Sequence, residues 1–186
     1  MLKMMFPKTK SSGFTLIELV MSVVVLSILL AVGMPSLLSM LRNSEIRNAA
    51  GSIANGMQRA RAEAVARNAS VLFVLCTNSL CLCTDGSNSC LWNVVPGSSV
   101  TPLDSKSSKD GSSNVTVSSV SPTSATAVTF NNVGQVVTNA DASASLTQVN
   151  LAAAGGTQNL RVTIGAGGNA KACNPNLPPN SSPSAC

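Results

Sequence analysis

Gly13-Phe14-Thr15-Leu16-Ile17-Glu18-Leu19 opens the stretch that decides the architecture of this 186-residue chain. From Leu19 to Leu41 the chain runs for 23 residues without a formal charge. As an α-helix, at about 1.5 Å per residue, that run covers roughly 34 Å, enough to cross the hydrocarbon core of a bilayer. One carboxylate, Glu18, stands at its mouth, and Lys3, Lys8 and Lys10 precede it. The small residue Gly13 comes before the apolar run, whereas an ordinary secretory signal places its cleavage site after one. A cut after Gly13 therefore leaves the apolar helix on the mature protein. The cations of the leader hold it on the cytoplasmic side and predict that the rest is translocated.

Lys10-Ser11-Ser12-Gly13-Phe14-Thr15-Leu16-Ile17-Glu18-Leu19 closely resembles the type IV prepilin signal. It has Gly before the cut, Phe after it, an apolar run, and Glu four residues past Phe. The resemblance implies cleavage between Gly13 and Phe14 by a prepilin peptidase, and N-methylation of the Phe14 amine. A carboxylate in a membrane costs about 3 kcal/mol unless it is neutralised. The cut creates a cationic amine one helical turn from Glu18. Glu18 can pair with that amine in its own chain. The resemblance implies pairing with the Phe14 amine of a neighbouring subunit during assembly. Further along, Pro35 lacks an N–H and its ring crowds the carbonyl of Ala31, so a kink or local unwinding is expected near Gly33 and Pro35. In pilins a Gly and a Pro near this point let the helix stretch in the filament.

Charge returns at Arg42. Ile46, Ala50, Ile53, Met57, Ala60 and Ala64 then recur at alternating steps of four and three, a helical stripe. The stripe is small and Ala-rich, which suits close packing under a sheet of the same chain better than a coiled coil. Arg42, Arg47, Arg59, Arg61 and Arg67 lie on the other faces and read as a solvated or intersubunit surface rather than a polyanion stripe. Asn68 is placed to cap the helix C-terminus. Met57-Gln58-Arg59-Ala60-Arg61-Ala62-Glu63-Ala64-Val65-Ala66-Arg67-Asn68, running into the strand Val71 to Leu75 and then Cys76, resembles the FimT/GspH family of minor pilins and minor pseudopilins.

Beyond the helix the pattern is β-rich. Ser70–Cys76, Val115–Val120, Ala127–Phe130, Gln135–Thr138, Leu146–Leu151 and Leu160–Ile164 are the candidate strands. Leu160, Val162 and Ile164 alternate with Arg161 and Thr163, giving one buried face. Phe130-Asn131-Asn132-Val133-Gly134 reads as a hairpin turn and resembles the Phe-x-x-x-Gly hairpin of the FimT/GspH head. Pro96 to Gly111 reads as a surface loop, and Asn174 to Ala185 as an irregular tail. Gly165-Ala166-Gly167-Gly168 follows a strand but opens no helix, so it is a turn rather than a phosphate cradle.

All six cysteines, Cys76, Cys81, Cys83, Cys90, Cys173 and Cys186, lie beyond the apolar run. A chain translocated into an oxidising compartment uses such residues as disulfides. A four-thiolate zinc site is disfavoured, because the spacing lacks paired C-x2-C knuckles. Six cysteines allow fifteen pairings, and a Cys81–Cys83 bond is strained. Cys76–Cys81, Cys83–Cys90 and Cys173–Cys186 form one consistent set. Cys76–Cys90 is a rival that sends Cys81 and Cys83 to other partners.

Composition narrows the function. There is no His, so a His-based triad or a His-ligated metal is excluded. The seven acidic residues form no pair at catalytic spacing, which argues against an enzyme and calls for no cofactor or metal. Of the twelve basic residues three lie in the leader, so the mature balance is nine against seven, or +2. Some FimT-type minor pilins bind DNA through a Gly-Arg-x-Arg element before a C-terminal cysteine. The matching segment here, Gly168 to Cys173, keeps only Lys171, with Arg161 as a second candidate contact; this weakens the nucleic-acid reading.

The expected fold is therefore α+β and pilin-like: a long N-terminal helix, half membrane and half amphipathic, packed on a small antiparallel β-rich head. Residues 1–13 form the leader, 14–41 the membrane and assembly half, 42–68 the amphipathic half, 69–173 the periplasmic head, and 174–186 a disulfide-closed tail. The expected function is a minor pilin held in a bacterial inner membrane by one span, then assembled into a type IV pilus. The alternatives are a GspH-type minor pseudopilin of a type II secretion system and a DNA-binding pilus subunit. The expected partners are the prepilin peptidase, the inner membrane and other pilins or pseudopilins.

Overall fold

The computed structural model describes residues 13–76, 83–84, 90–97, 99 and 101–186. Two compact units divide the chain, Met1–Leu38 and Ser39–Cys186. One helix, α1 (Leu16–Arg67), contributes to both. Its start is set by Thr15, whose hydroxyl accepts the Glu18 amide at 3.3 Å while its carbonyl accepts the Leu19 amide at 3.2 Å. Thr15 is thus the N-cap and Glu18 the third helical residue, the spacing of a capping box. The helix ends where Asn68 adopts φ 50°. There the Asn68 amide donates to Val65 and the Ala69 amide to Ala64, both at 3.2 Å, a Schellman arrangement that satisfies the last carbonyls.

In the first unit the apolar residues face outward all round. Phe14, Leu16, Ile17 and every large apolar side chain as far as Leu38 are exposed. The helix runs through Gly33 and Pro35 without interruption, so the single chain shows no local unwinding there. Proline removes one amide donor, and the neighbouring turns carry the helix past it.

In the second unit the stripe Ile46, Ala49, Ala50, Ile53, Met57, Ala60 and Ala64 is wholly buried. Its cover is a pair of antiparallel sheets. The larger has the order β3-β2-β1-β5-β6, from β1 (Val71–Leu75), β2 (Cys90–Pro96), β3 (Asp104–Ser107), β5 (Ala127–Phe130) and β6 (Val136–Val137). The smaller has the order β4-β7-β8-β9, from β4 (Val115–Ser121), β7 (Gln148–Ala153), β8 (Leu160–Ile164) and β9 (Ala170–Cys173). Val71, Phe73, Leu75, Val94, Val128 and Phe130 of the first sheet and Val149, Leu151, Val162 and Ile164 of the second join the helix stripe in one core. Helix and sheet come close at Gly56: a Cβ there would lie 2.8 Å from the Trp92 ring and 3.0 Å from Phe73. Trp92 stays in place because its indole N–H donates to the Ser52 hydroxyl at 2.9 Å.

Three strands depart from the sequence expectation. β2 is absent from the candidate strands; its first five residues are all buried, so it shows no alternation to read. β3 lies inside the expected loop Pro96 to Gly111; its polar Asp-Ser-Lys-Ser run becomes a strand through its register with β2. β9, Ala170–Cys173, had no apolar pattern of its own and pairs with β8. Two expected strands also change length or position. Gln135–Thr138 shortens to Val136–Val137, and Leu146–Leu151 shifts to Gln148–Ala153.

Candidate functional site

Among the described residues of the N-terminal unit, Glu18 is the only charged side chain. Gly13 and Phe14 precede the cap, Glu18 is exposed, and its backbone carbonyl accepts the Ser22 hydroxyl at 2.7 Å. Met21, Ser22, Val25, Leu26 and Leu29 continue with Glu18 along one shallow strip. Ser27 returns its hydroxyl to the Val24 carbonyl at 2.8 Å, so these two serines leave no hydroxyl donor unmet in an apolar medium. An outward apolar surface of this length is soluble only in a membrane or against other such helices. The structure adds Thr15 to the residues of this site. Its signal was visible in Thr15-Leu16-Ile17-Glu18, a Thr-x-x-Glu box.

The residues matched by known families now bear directly on this arrangement. The family model described as Type II transport protein GspH matches residues 49–168, from the buried helix stripe to the last glycine of the β8–β9 turn. The chain belongs to the GspH family. A second model, the prokaryotic N-terminal methylation motif, matches residues 8–34 and so spans Gly13, Phe14 and Glu18. Two crystal forms of the type IV minor pilin FimU of Pseudomonas aeruginosa strain PAO1 are similar solved structures. One shows 16% identity over 73% of this chain and 98% of that chain, with a TM-score of 0.47. The other shows 18% identity over 77% and 96%, with a TM-score of 0.48. No curated protein matches the chain.

Within this GspH-family head, the candidate nucleic-acid contacts do come together. Arg161 stands opposite Cys173 and Thr163 opposite Lys171 across β8 and β9, so Arg161 and Lys171 are diagonal neighbours on the outer sheet face. Both are engaged: Arg161 Nε donates to Asn150 Oδ1 at 2.8 Å, and Lys171 Nζ to the Ala185 carbonyl at 3.4 Å. The arginines of α1 are also committed. Arg42 meets Glu45 at 3.3 Å, Arg59 and Arg67 share Glu63 at 3.1 and 2.9 Å, and Arg59 reaches Asp104 at 3.9 Å. Arg47 donates to Gln158, and Arg61 to the Gly134 carbonyl at 3.1 Å. Ion pairing cancels much of the positive potential a polyanion needs.

Arg61 closes a structural joint rather than a binding site. It lies against two glycines in the left-handed region, Gly134 (φ 78°) at the β5–β6 turn and Gly168 (φ 77°) at the β8–β9 turn. A side chain at Gly168 would overlap the Gly134 carbonyl. Beside them the Val136 amide donates to Ala166 at 3.0 Å, fastening the two sheets. This gives the Phe130–Gly134 hairpin its physical role.

Four of the described cysteines form two disulfides. Cys83 is joined to Cys90, and Cys173 to Cys186. The expected Cys76–Cys81 bond lies outside the described residues, because Cys81 does. Among the described residues no cluster of three metal-ligating side chains occurs. On the five-stranded sheet, a cleft of about 560 Å³ is lined by Leu72, Ala127, Thr129, Val137, Asn139 and Asp141 among others. Asn139 Nδ2 donates to the Ser143 hydroxyl and its Oδ1 accepts from Thr129, so this wall is internally satisfied. The Asp141 carboxylate accepts the Ser143 amide at 3.0 Å. Hydrogen bonds from the Ser143 side chain and backbone hold its pKa below the usual aspartate value.

Proposed function

We propose that this chain is a minor pilin whose N-terminal helix is both anchor and assembly element. A prepilin peptidase cuts between Gly13 and Phe14, and the Phe14 amine is methylated. The mature protein then sits in the bacterial inner membrane by one span, with its head in the periplasm. On assembly into a type IV pilus, Glu18 meets the Phe14 amine of a neighbouring subunit. The observation that carries this reading is the exposed apolar helix with its single carboxylate at the start, within the match to the methylation motif. An uncompensated acid in that surface costs about 3 kcal/mol, which a neighbour's amine offsets. Gly33 and Pro35 are the proposed place where the helix unwinds in the fibre. Their helical state in the single chain is compatible with a change that only packing against other helices drives.

The family model's own description favours a second reading, a minor pseudopilin of a type II secretion system. The same chemistry of cleavage, anchoring and helix bundling serves both machines. The nucleic-acid role rests on Arg161 and Lys171 alone and is not adopted.

Mass spectrometry of the mature protein tests the processing step: the expected N-terminus is methyl-Phe14. Glu18→Ala tests assembly. The variant is expected at the parent's level in membranes but absent from sheared fibres; incorporation equal to the parent overturns the reading. Deletion separates the two machines, since loss of twitching motility supports a pilus and loss of an exported hydrolase supports secretion.

A further inference from the structure

The outer face of the five-stranded sheet carries a preformed cleft. Leu72 stands opposite Thr129 across β1 and β5, and Thr129 opposite Val137 across β5 and β6. Residues opposed in this way project from the same face, so the three form one row, and Ala127, two residues from Thr129, extends it. The core residues Val71, Phe73, Val128 and Phe130 take the other face. Leu72, Ala127 and Val137 are half-buried and make an apolar floor. Thr138 to Asp141 bound that floor from the β6 side, and Ser70 and Gly97 from the β1 and β2 side. Asn139 fixes the β6 side: its Oδ1 accepts the Thr129 hydroxyl at 2.8 Å and its Nδ2 donates to Ser143 Oγ at 3.1 Å. The Leu146 amide then ties the end of this segment to the Ala127 carbonyl at 2.8 Å. The cleft volume, about 560 Å³, falls within the roughly 300–1,000 Å³ of small-molecule sites.

One anion stands at its rim. Glu45, Glu63, Asp104 and Asp110 each pair with an arginine or lysine, at 2.9 to 3.9 Å. Among the described acids of the head, Asp141 alone has no such partner. No lysine or arginine lines the cleft. The Ser143 amide, which donates to the Asp141 carboxylate at 3.0 Å, orients it. Hydrogen bonds from Ser143 also hold its pKa below the usual aspartate value, so it is anionic at neutral pH. An apolar floor beside an unpaired carboxylate favours an occupant with an apolar body and a cationic head. An anionic ligand meets like charge there, and a wholly polar one leaves the floor in contact with water.

We infer that this cleft is a binding site for a small amphipathic cation, an amine whose apolar body lies on Leu72, Ala127 and Val137 and whose ammonium meets the Asp141 carboxylate. The ion pair is exposed at the rim, so burial of the body supplies the affinity and Asp141 the preference for a cation. Thr129 and Asn139 bond to each other, so the polar atoms of the wall are already engaged and leave the floor apolar. A concavity bounded on two sides suits a compact molecule.

The test uses the mature chain in a zwitterionic detergent, with tryptamine as the probe and backbone amide NMR shifts as the readout. Tryptamine is expected to give saturable shifts at Leu72, Ala127, Val137 and Asp141. Tryptophol has the same ring system without the charge, and ethylamine has the charge without the ring. Each is expected to bind at least about tenfold more weakly. Asp141→Asn removes the charge but keeps an oxygen for the Ser143 amide. It is expected to weaken tryptamine about tenfold and to leave tryptophol unchanged, whereas a loss of fold would weaken both. Asp110→Asn removes an acid outside the cleft and is expected to bind tryptamine as the parent does. Parent and variants are compared at one detergent concentration, so partition into micelles cancels between them. No saturable shift in the parent at millimolar tryptamine, equal affinity for tryptamine and tryptophol, or equal tryptamine affinity in Asp141→Asn overturns the inference. So do shifts at the cleft that appear with protein concentration alone, because a second copy then fills it.

Discussion

The two halves of α1 are built from the same helix and answer to different solvents. From Leu16 to Leu38 the apolar residues occupy every face and all the large ones are exposed. From Ile46 to Ala64 the large ones, Ile46, Ile53 and Met57, lie with Ala49, Ala50, Ala60 and Ala64 on one stripe, which is completely buried. In water an apolar side chain must find a covering partner, so its position around the helix matters. In a membrane or a helix bundle the surroundings are themselves apolar, so length and absence of charge suffice. Exposure in the isolated chain therefore means opposite things at the two ends.

Lysine substitutions in the two halves test that contrast. Ala50→Lys puts a charge where no solvent reaches, and the head is expected to lose about 4 kcal/mol or more, read as a failure of cooperative thermal unfolding. Val25→Lys lies on an exposed face and is expected to leave the melting of the head unchanged. It is expected to disfavour membrane insertion by about 3 kcal/mol, read as a falling membrane-bound fraction. If both variants unfolded the head equally, the division of labour along α1 would be wrong.

Glycines give a finer comparison inside the amphipathic half. Gly56→Leu drives a side chain into Trp92 and Phe73 and is expected to destabilise the head by about 1–3 kcal/mol. Gly51→Ala has open space around its Cβ and is expected to stabilise it by about 1 kcal/mol, through helix propensity. Chemical denaturation of the two variants against the parent measures both signs.

The smallest effect is expected at Asp141, which is fully exposed. Its folded pKa is depressed by Ser143, so its contribution is present above the ordinary aspartate range and is lost as pH falls through the lowered value. Ser143 amide protection should fall over that acidic window in the parent. In Asp141→Ala it should be low and flat with pH.

Legibility in the sequence followed the same division. The apolar run and the Gly13-Phe14…Glu18 spacing needed no tertiary partner to be read, because hydropathy, charge and residue spacing are properties of a local segment. The helix stripe and the alternation of β8 were legible because each buries one face only. β2 was missed because its first five residues are buried together, and β3 because it contributes polar residues to an edge. Arg61 gave no signal of its own; its role depends on two turns more than seventy residues away meeting at Gly134 and Gly168.

Local patterns alone identified the prepilin-like Gly13-Phe14…Glu18 motif, the uncharged apolar run from Leu19 to Leu41, a helix end at Asn68, and a β-rich head over an Ala-rich stripe. These follow from patterns within a few turns or strands, where local geometry decides the energy. The fold in three dimensions set which strands are neighbours, that Arg42, Arg59 and Arg67 pair with Glu45, Glu63 and Asp104, and that Arg61 meets Gly134 and Gly168. Those depend on contacts between segments far apart in the chain, and no local pattern sets which backbone will lie beside which.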